Sequence, residues 1–135
     1  MPEKEVQLTD VEREYLRSQH LARIATVSDS GEVDVAPVAF RLDEQDRFVI
    51  GGLNMDRSFK LHNVEANGRV AIAVDDLVSI DPWTPRGVKV HGHGEVVERP
   101  DGRKVIVTSI TRKWSWGPLE SRTPAQDTVP TWRKR

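Results

Sequence analysis

In several segments of this chain apolar and polar residues alternate as in a strand, and in two places the spacing changes to that of a helix. Leu8-Thr9-Asp10 followed by VEREYLRSQH predicts the first helix, with Thr9 or Asp10 as N-cap. Val11, Tyr15 and Leu16 form its apolar stripe, with Leu8 or Leu21 flanking. LARIATVS (21–28) alternates as a strand, and Asp29-Ser30-Gly31 is a turn. EVDVAPVAFRL (32–42) resumes as a second strand. Pro37 has no N–H to give a ladder, so it implies an edge, a bulge, or a point where a ligand meets the backbone. After the polar turn 43–46, RFVIGG is a third strand ending in Gly51 and Gly52.

The stretch NMDRSFKLHNVEANG then reads as a short polar helix stopped by Asn67-Gly68 as a left-handed cap. RVAIAVDD is a fourth strand, LVSIDPWTPR a loop, and GVKVHGHGEVVE a long, bent fifth strand with recurring glycines. RPDGRKVIVTSITRKW opens with a turn and continues as a helical or mixed segment, its Val, Ile and Thr working against a helix. SWGP is read as a short closing strand. Strands at short spacing joined by tight turns pair antiparallel, and five or six suit a small closed or partly closed barrel. The expected fold is mainly β with helices (α+β). One domain spans 1–135, with its core over about 8–117 and a tail at 118–135. So small a barrel has little interior room, which places a ligand against its outside or between two copies.

The 135 residues suffice for one core. With 20 basic against 21 acidic residues the net charge is −1, without the basic excess of a nucleic-acid or membrane-surface binder. The absence of cysteine excludes disulfides and thiolate zinc sites. No apolar run reaches the roughly 20 residues of a membrane span, and the N-terminus is too charged for a signal peptide. A cytoplasmic protein is expected.

The second helix runs against helix electrostatics. Arg57 and Lys60 sit at its start, where the dipole is positive and cations are mildly unfavourable. A bound phosphate or carboxylate would reverse that: free N–H groups, Arg57, the Ser58 hydroxyl and Lys60 would converge on it, with Gly51 and Gly52 allowing close approach. The competing reading has both cations solvated and Asp56 offsetting the dipole. His91 and His93 share one strand face with Lys89, but no third ligand is evident, so no metal site is expected. Asp75 and Asp76 point to opposite faces and suit a turn or a salt bridge to an arginine. Trp83, Arg86, Trp114 and Trp116 suit either a flat, negatively charged conjugated ligand or a core or subunit interface. No nucleophile with a His/Asp set, GxGxxG or Walker loop is present.

In the order of its elements the chain resembles the pyridoxamine-phosphate-oxidase-like split-barrel flavoproteins, over roughly residues 8–98 and more weakly to Gly117. The resemblance rests on ATVSDSGEVDVAPVAF, FVIGG and RSFKLHNVEANGRVAIAVDD. The family motif K-x-x-N-(x)n-N-P-R-V-A finds Lys60, Asn63, Asn67, Arg69, Val70 and Ala71 in register, with Gly68 where proline is usual. DDLVSIDPWTPRGVKVHGHGEV followed by SWG looks like the branch that uses the deazaflavin coenzyme F420, including reductases of tetracycline-type enones. His91 and His93 depart from that branch, as does the short tail.

The resemblance implies an antiparallel, FMN-binding-like split barrel that forms a homodimer with cofactor sites at the subunit interface. Arg57, Ser58 and Lys60 would hold the cofactor phosphate and Asn63 would brace their loop. Val35, Ala36, Pro37 and Val38 would line the ring through backbone contacts, with Ile50 and Gly51 alongside. Trp83 and Arg86 would come from the partner chain, and Trp116 would help close the pocket. The implied activity is hydride transfer from reduced F420 to a conjugated C=C or related acceptor in a small molecule, with no catalytic side chain required. Tyr15, the only tyrosine, is read as a packing residue. The alternatives are an FMN-dependent oxidase or reductase, a non-enzymatic flavin or haem carrier, and a protein-interaction module.

Overall fold

The computed structural model describes residues 4–122. Helix α1 (Asp10–Arg17) precedes strands β1 (Leu21–Val27), β2 (Val33–Ala39), β3 (Arg41–Leu42) and β4 (Phe48–Ile50). A 3-10 turn (Met55–Arg57) leads into α2 (Phe59–Asn67), followed by β5 (Arg69–Ser79), β6 (Thr84–Glu98) and β7 (Lys104–Trp116). The seven strands form one antiparallel sheet in the order β2-β1-β5-β6-β7-β4-β3. β2 and β3 are thus opposite edges of the sheet, yet Phe40 alone joins them in the chain. The sheet therefore has to curl until its edges meet, which makes it a split barrel.

The expected strand 32–42 is in this way divided at Phe40. The ring of Phe40 tilts against Phe48 of β4 at 5.4 Å and fills the seam. Pro37 lies on β2, which pairs only with β1, so its missing N–H falls on an edge strand.

Three further expectations are corrected. The segment after the turn at 99–103 is one strand to Trp116, not helical or mixed, because β-branched residues are crowded into it at 105–108 and 110–111; SWGP is its end and no separate strand. The expected loop 77–86 is mostly ladder: β5 runs to Ser79, β6 starts at Thr84, and only a tight tip remains. On α1, Glu12 rather than Val11 turns inward. Thr9 is the N-cap in a reciprocal capping box with Glu12, and the Glu12 carboxylate accepts a 2.6 Å bond from Lys113.

Ile24, Ile72, Val74, Val88, Val90 and Ile106 from the inward sheet face pack with Leu16, Leu61 and Val64 of the helices. α2 ends on Gly68 at φ 71° with its N–H bonded to Val64 O, the left-handed stop expected from Asn67-Gly68. Asp75 and Asp76 both bind arginines: Asp75 meets Arg23 at 3.3 Å and Asp76 meets Arg86 at 2.7 Å. Of the tail expected at 118–135, residues 123–135 lie outside the described residues.

Candidate functional site

The outward sheet face can be read from strand register. One transverse row runs Pro37, Arg23, Ala73, Lys89, Trp114; the next runs Val35, Ala25, Ala71, His91, Arg112. Small side chains occupy the middle of both rows, so the face is shallow at its centre and raised at its ends. A groove of about 480 Å³ lies here, floored by Ala25, Val27, Val33 and Ala71 and bordered by Arg69, His91 and Arg112. Its depth at β6 comes from a bulge. Both Thr111 and Arg112 face His91 while Ile110 already pairs with Gly92. Gly92 must be glycine, since a Cβ there would run into Ser109 O and Thr108 Cγ2.

The residues expected to line a ring divide between the two faces. Val35 and Pro37 are exposed on the same face as the groove, whereas Val38 is buried and Ala36 packs on the core. Ile50 is fully buried at the end of β4. At Gly51 a Cβ would meet only Val105 at an ordinary 3.5 Å, and at Gly52 it would meet nothing within 4 Å. Crowding within the chain therefore does not require either glycine, and the surface beside them stays open.

At the start of α2, Ser58 is the N-cap: its Oγ accepts from Leu61 N at 3.2 Å and donates to Met55 O at 2.7 Å. The helix thus begins at Phe59, with Lys60 in its first turn and Arg57 just before the cap. That first turn holds no acidic residue, and neither Arg57 nor Lys60 forms an ion pair among the described residues. The N–H groups of Phe59 and Lys60 have no intrahelical acceptor. Two unpaired cations, two free N–H groups and open glycines fit a phosphate group. Asn63 is buried and its Nδ2 donates to Thr26 Oγ1 at 3.0 Å, so it braces the helix onto β1 rather than the loop.

Arg86 has a different role from the one expected. Its side chain is wholly buried in its own chain: Nε and Nη2 bind Asp76 at 2.7 and 3.1 Å, and the guanidinium stacks on Tyr15 at 4.9 Å. Nη1 donates to the carbonyls of Leu119, at 3.2 Å, and Ser121. Tyr15 donates its hydroxyl to the same Asp76 at 2.9 Å, which makes it a packing residue with a polar tie. Burial raises the Asp76 pKa, but the Arg86 guanidinium and the Tyr15 hydroxyl outweigh it, and the carboxyl titrates below its usual range. No donor on Arg86 is left facing outward, so it drops out of the candidate site. Trp83 is two-thirds exposed at the β5–β6 tip, and Trp116 lies over Gly87, whose Cβ would come within 2.5 Å of the ring.

Trp114 is a centre of its own, with Lys89 Nζ 4.5 Å and Arg112 Cζ 5.2 Å from the ring centroid and His91 edge-on at 4.8 Å. Sequence reasoning missed Arg69 and Arg112 as groove residues. The signal was the two-residue spacing of Arg112, Trp114 and Trp116, which puts them on one face only once 104–116 is recognised as a strand. Among the described residues no cluster of three metal-ligating side chains occurs, and no helix is long and apolar enough to cross a membrane.

A curled antiparallel sheet closed through one residue, with two small helices and an open outer face, defines a split-barrel protein. The chain belongs to the pyridoxamine 5'-phosphate oxidase family, whose sequence pattern matches residues 8–130. It is 42% identical over 90 residues to the 5a,11a-dehydrotetracycline/5a,11a-dehydrooxytetracycline reductase of Streptomyces rimosus; the match covers 66% of this chain and 63% of that protein. Among solved structures, a conserved hypothetical protein of Mycobacterium tuberculosis shares the fold at a TM-score of 0.66 and 18% identity, covering 87% of this chain and 89% of that one. An FAD-binding protein of Mesorhizobium loti shares it at 0.64 and 18%, covering 80% and 91%.

Proposed function

We propose that this chain is an oxidoreductase that uses reduced coenzyme F420 to reduce a conjugated C=C, of the enone type, in a small molecule. The observation that carries the reading is the start of α2, where Arg57 and Lys60 stand without an acidic partner beside free N–H groups, as a phosphate requires. When bound, the reduced deazaflavin supplies the hydride. Arg57 and Lys60 bind the phosphate, Ser58 keeps the N-terminal turn rigid, and Asn63 fixes the helix on β1. Val35 and Pro37 offer an exposed edge strand to the ring, and Gly51 and Gly52 leave the backbone after β4 open to it. No side chain need act as nucleophile.

The similarity to a dehydrotetracycline reductase supports an enone-type acceptor. A homodimer is part of the same reading: Val33, Val35 and Trp83 are large exposed apolar residues, and a second copy covering them could bring Trp83 to the cofactor and let Trp116 close it. A cytoplasmic location goes with it. The second reading, an FMN-dependent oxidase or reductase, is supported by the flavin-binding neighbour of the same fold.

Optical titration of the protein with F420, FMN, NADPH and haem separates these. F420 should bind at least about tenfold more tightly than FMN, and anaerobic mixing of the reduced complex with an enone should oxidise it. Exclusive tight binding of FMN would overturn the F420 assignment. Tight retention of flavin or haem without turnover of any enone or quinone would make the protein a carrier.

A further inference from the structure

We propose that Asn67-Gly68 is a guarded modification site, held unreactive in the folded chain and converted to aspartate or isoaspartate when the end of α2 opens. Of the three asparagines, Asn67 is the only one followed by glycine, whose lack of a side chain leaves the approach to its peptide nitrogen unobstructed. Deamidation there is a ring closure. The Gly68 nitrogen gives up its proton and attacks Asn67 Cγ; an N–Cγ bond forms, the Cγ–Nδ2 bond breaks and ammonia leaves. Water then opens the succinimide at one of its two carbonyls, giving aspartate or isoaspartate with no change of oxidation state.

The groups that must move in this reaction are all held in place. The Gly68 N–H donates to Val64 O at 2.9 Å, and Gly68 O accepts from Gly94 N at 2.8 Å. Asn67 Nδ2 donates to Val27 O at 2.8 Å and to Asp29 Oδ1 at 3.1 Å, while Asn67 Oδ1 accepts from Arg69 N at 2.9 Å. Gly68 is buried and packed under His93, which a Cβ at 68 would strike. Cγ therefore cannot swing onto the Gly68 nitrogen until these bonds break, which local opening of the helix end allows.

The product does not fit the position that the amide leaves. A carboxylate at 67 has no hydrogen to offer Val27 O and faces the Asp29 carboxylate. It also adds negative charge to the negative end of α2, whose last turn holds no cation. Conversion thus cuts the tie between the end of α2 and the turn after β1, and the Asn63–Thr26 bond is left without its companion. Lys60 stands in the first turn of the same helix, so loosening α2 should weaken phosphate binding as well; this last consequence alone rests on the reductase reading above.

Peptide mapping by mass spectrometry after incubation at mildly alkaline pH, in the folded chain and in guanidinium chloride, tests the site. Asn67 should deamidate in denaturant ahead of Asn54 and Asn63, and at least about tenfold more slowly in the folded chain. Equal rates in the two states, or no reaction of Asn67 in denaturant, would overturn the proposal. Asn67→Asp reproduces the product and should shift the unfolding equilibrium about tenfold toward the unfolded chain. Adding Asp29→Asn supplies an amide to meet the new carboxylate and should recover most of that loss. Undiminished stability of the single variant, or no recovery in the double one, would refute the lost tie. Asn67→Asp should also bind F420 or FMN more weakly than the parent, and equal affinity would refute the coupling to Lys60. If the parent binds no cofactor at all, the reductase reading fails while the deamidation results stand.

Discussion

The two helices of this protein start in opposite ways. α1 opens on Thr9 with Asp10 and Glu12 in its first turn and closes with Arg17, so the charges at its two ends agree with the helix dipole. Its acids are also answered by the chain: Glu12 by Lys113, and Asp10, together with Asp46, by Arg13. α2 opens on Ser58 with no acid in its first turn, a lysine within it and an arginine before it, and it closes without a cation. Both helices have proper N-caps, so the backbone at each start is equally well formed. What differs is whether the charge balance closes inside the molecule. At α1 it does, and the end is structural; at α2 it does not, and on the proposed function the missing partner is an anion from outside.

Substitutions at the two starts should separate these roles. The largest effect is expected from replacing Arg57 and Lys60 together with alanine. Cofactor affinity should fall by about a hundredfold or more, at about 1.5–3 kcal/mol per charged contact, with thermal unfolding almost unchanged; unaltered affinity in the optical titration would refute the clamp.

Arg86 marks the opposite extreme, a cation wholly satisfied within the chain. Arg86→Ala strands Asp76 and should destabilise the fold by about 3–5 kcal/mol, read by denaturant unfolding. Acid acts on the same pair. Because the Asp76 pKa is lowered in the folded state, its stabilisation is complete above the usual carboxylate range and lost as pH falls through the lowered value. Arg86→Ala should therefore show a flatter stability profile on the acid side than the parent.

Removing either cap should have a smaller and similar effect. Thr9→Ala and Ser58→Ala each forfeit about 1 kcal/mol of stability, and the first should leave cofactor binding untouched. The smallest change is the sharpest. Lys60→Glu corrects the helix electrostatics of α2 and should stabilise the free protein by about 0.3–1 kcal/mol while abolishing phosphate binding. A variant that gains stability and loses its ligand would show that the lysine is kept for the ligand.

Much of this was legible in the sequence. Alternation marked most of the strands, Asn67-Gly68 the end of α2, Pro37 an edge among three possibilities, and the cations of α2 an unbalanced site. What could not be read depended on closure of the sheet. No local signal shows that the single strand-like stretch at 33–42 serves both edges, since Phe40 looks like any other strand residue until β4 lies beside it. The buried position of Glu12 also needed Lys113, which is distant in sequence and adjacent only in the fold. Arg86 was hard for the same reason: beside Trp83 it resembles a ligand residue, and only the β5–β6 pairing that sets Asp76 against it, with Tyr15 and the segment at 118–121, shows what engages it. Residues with tertiary partners were thus the hard ones, and residues lacking a partner within the chain were already visible.

The single-residue seam at Phe40 has a bearing on how a ligand is received. Neighbouring Cα atoms stand about 3.8 Å apart, so the sheet edges on either side of Phe40 cannot draw away from each other at that point. The curvature of the outer face is therefore set before anything binds, and a guest has to match a surface whose shape is already chosen. Selectivity on such a surface would be exercised by rejection: a molecule whose shape does not follow that curvature finds no rearrangement that would admit it.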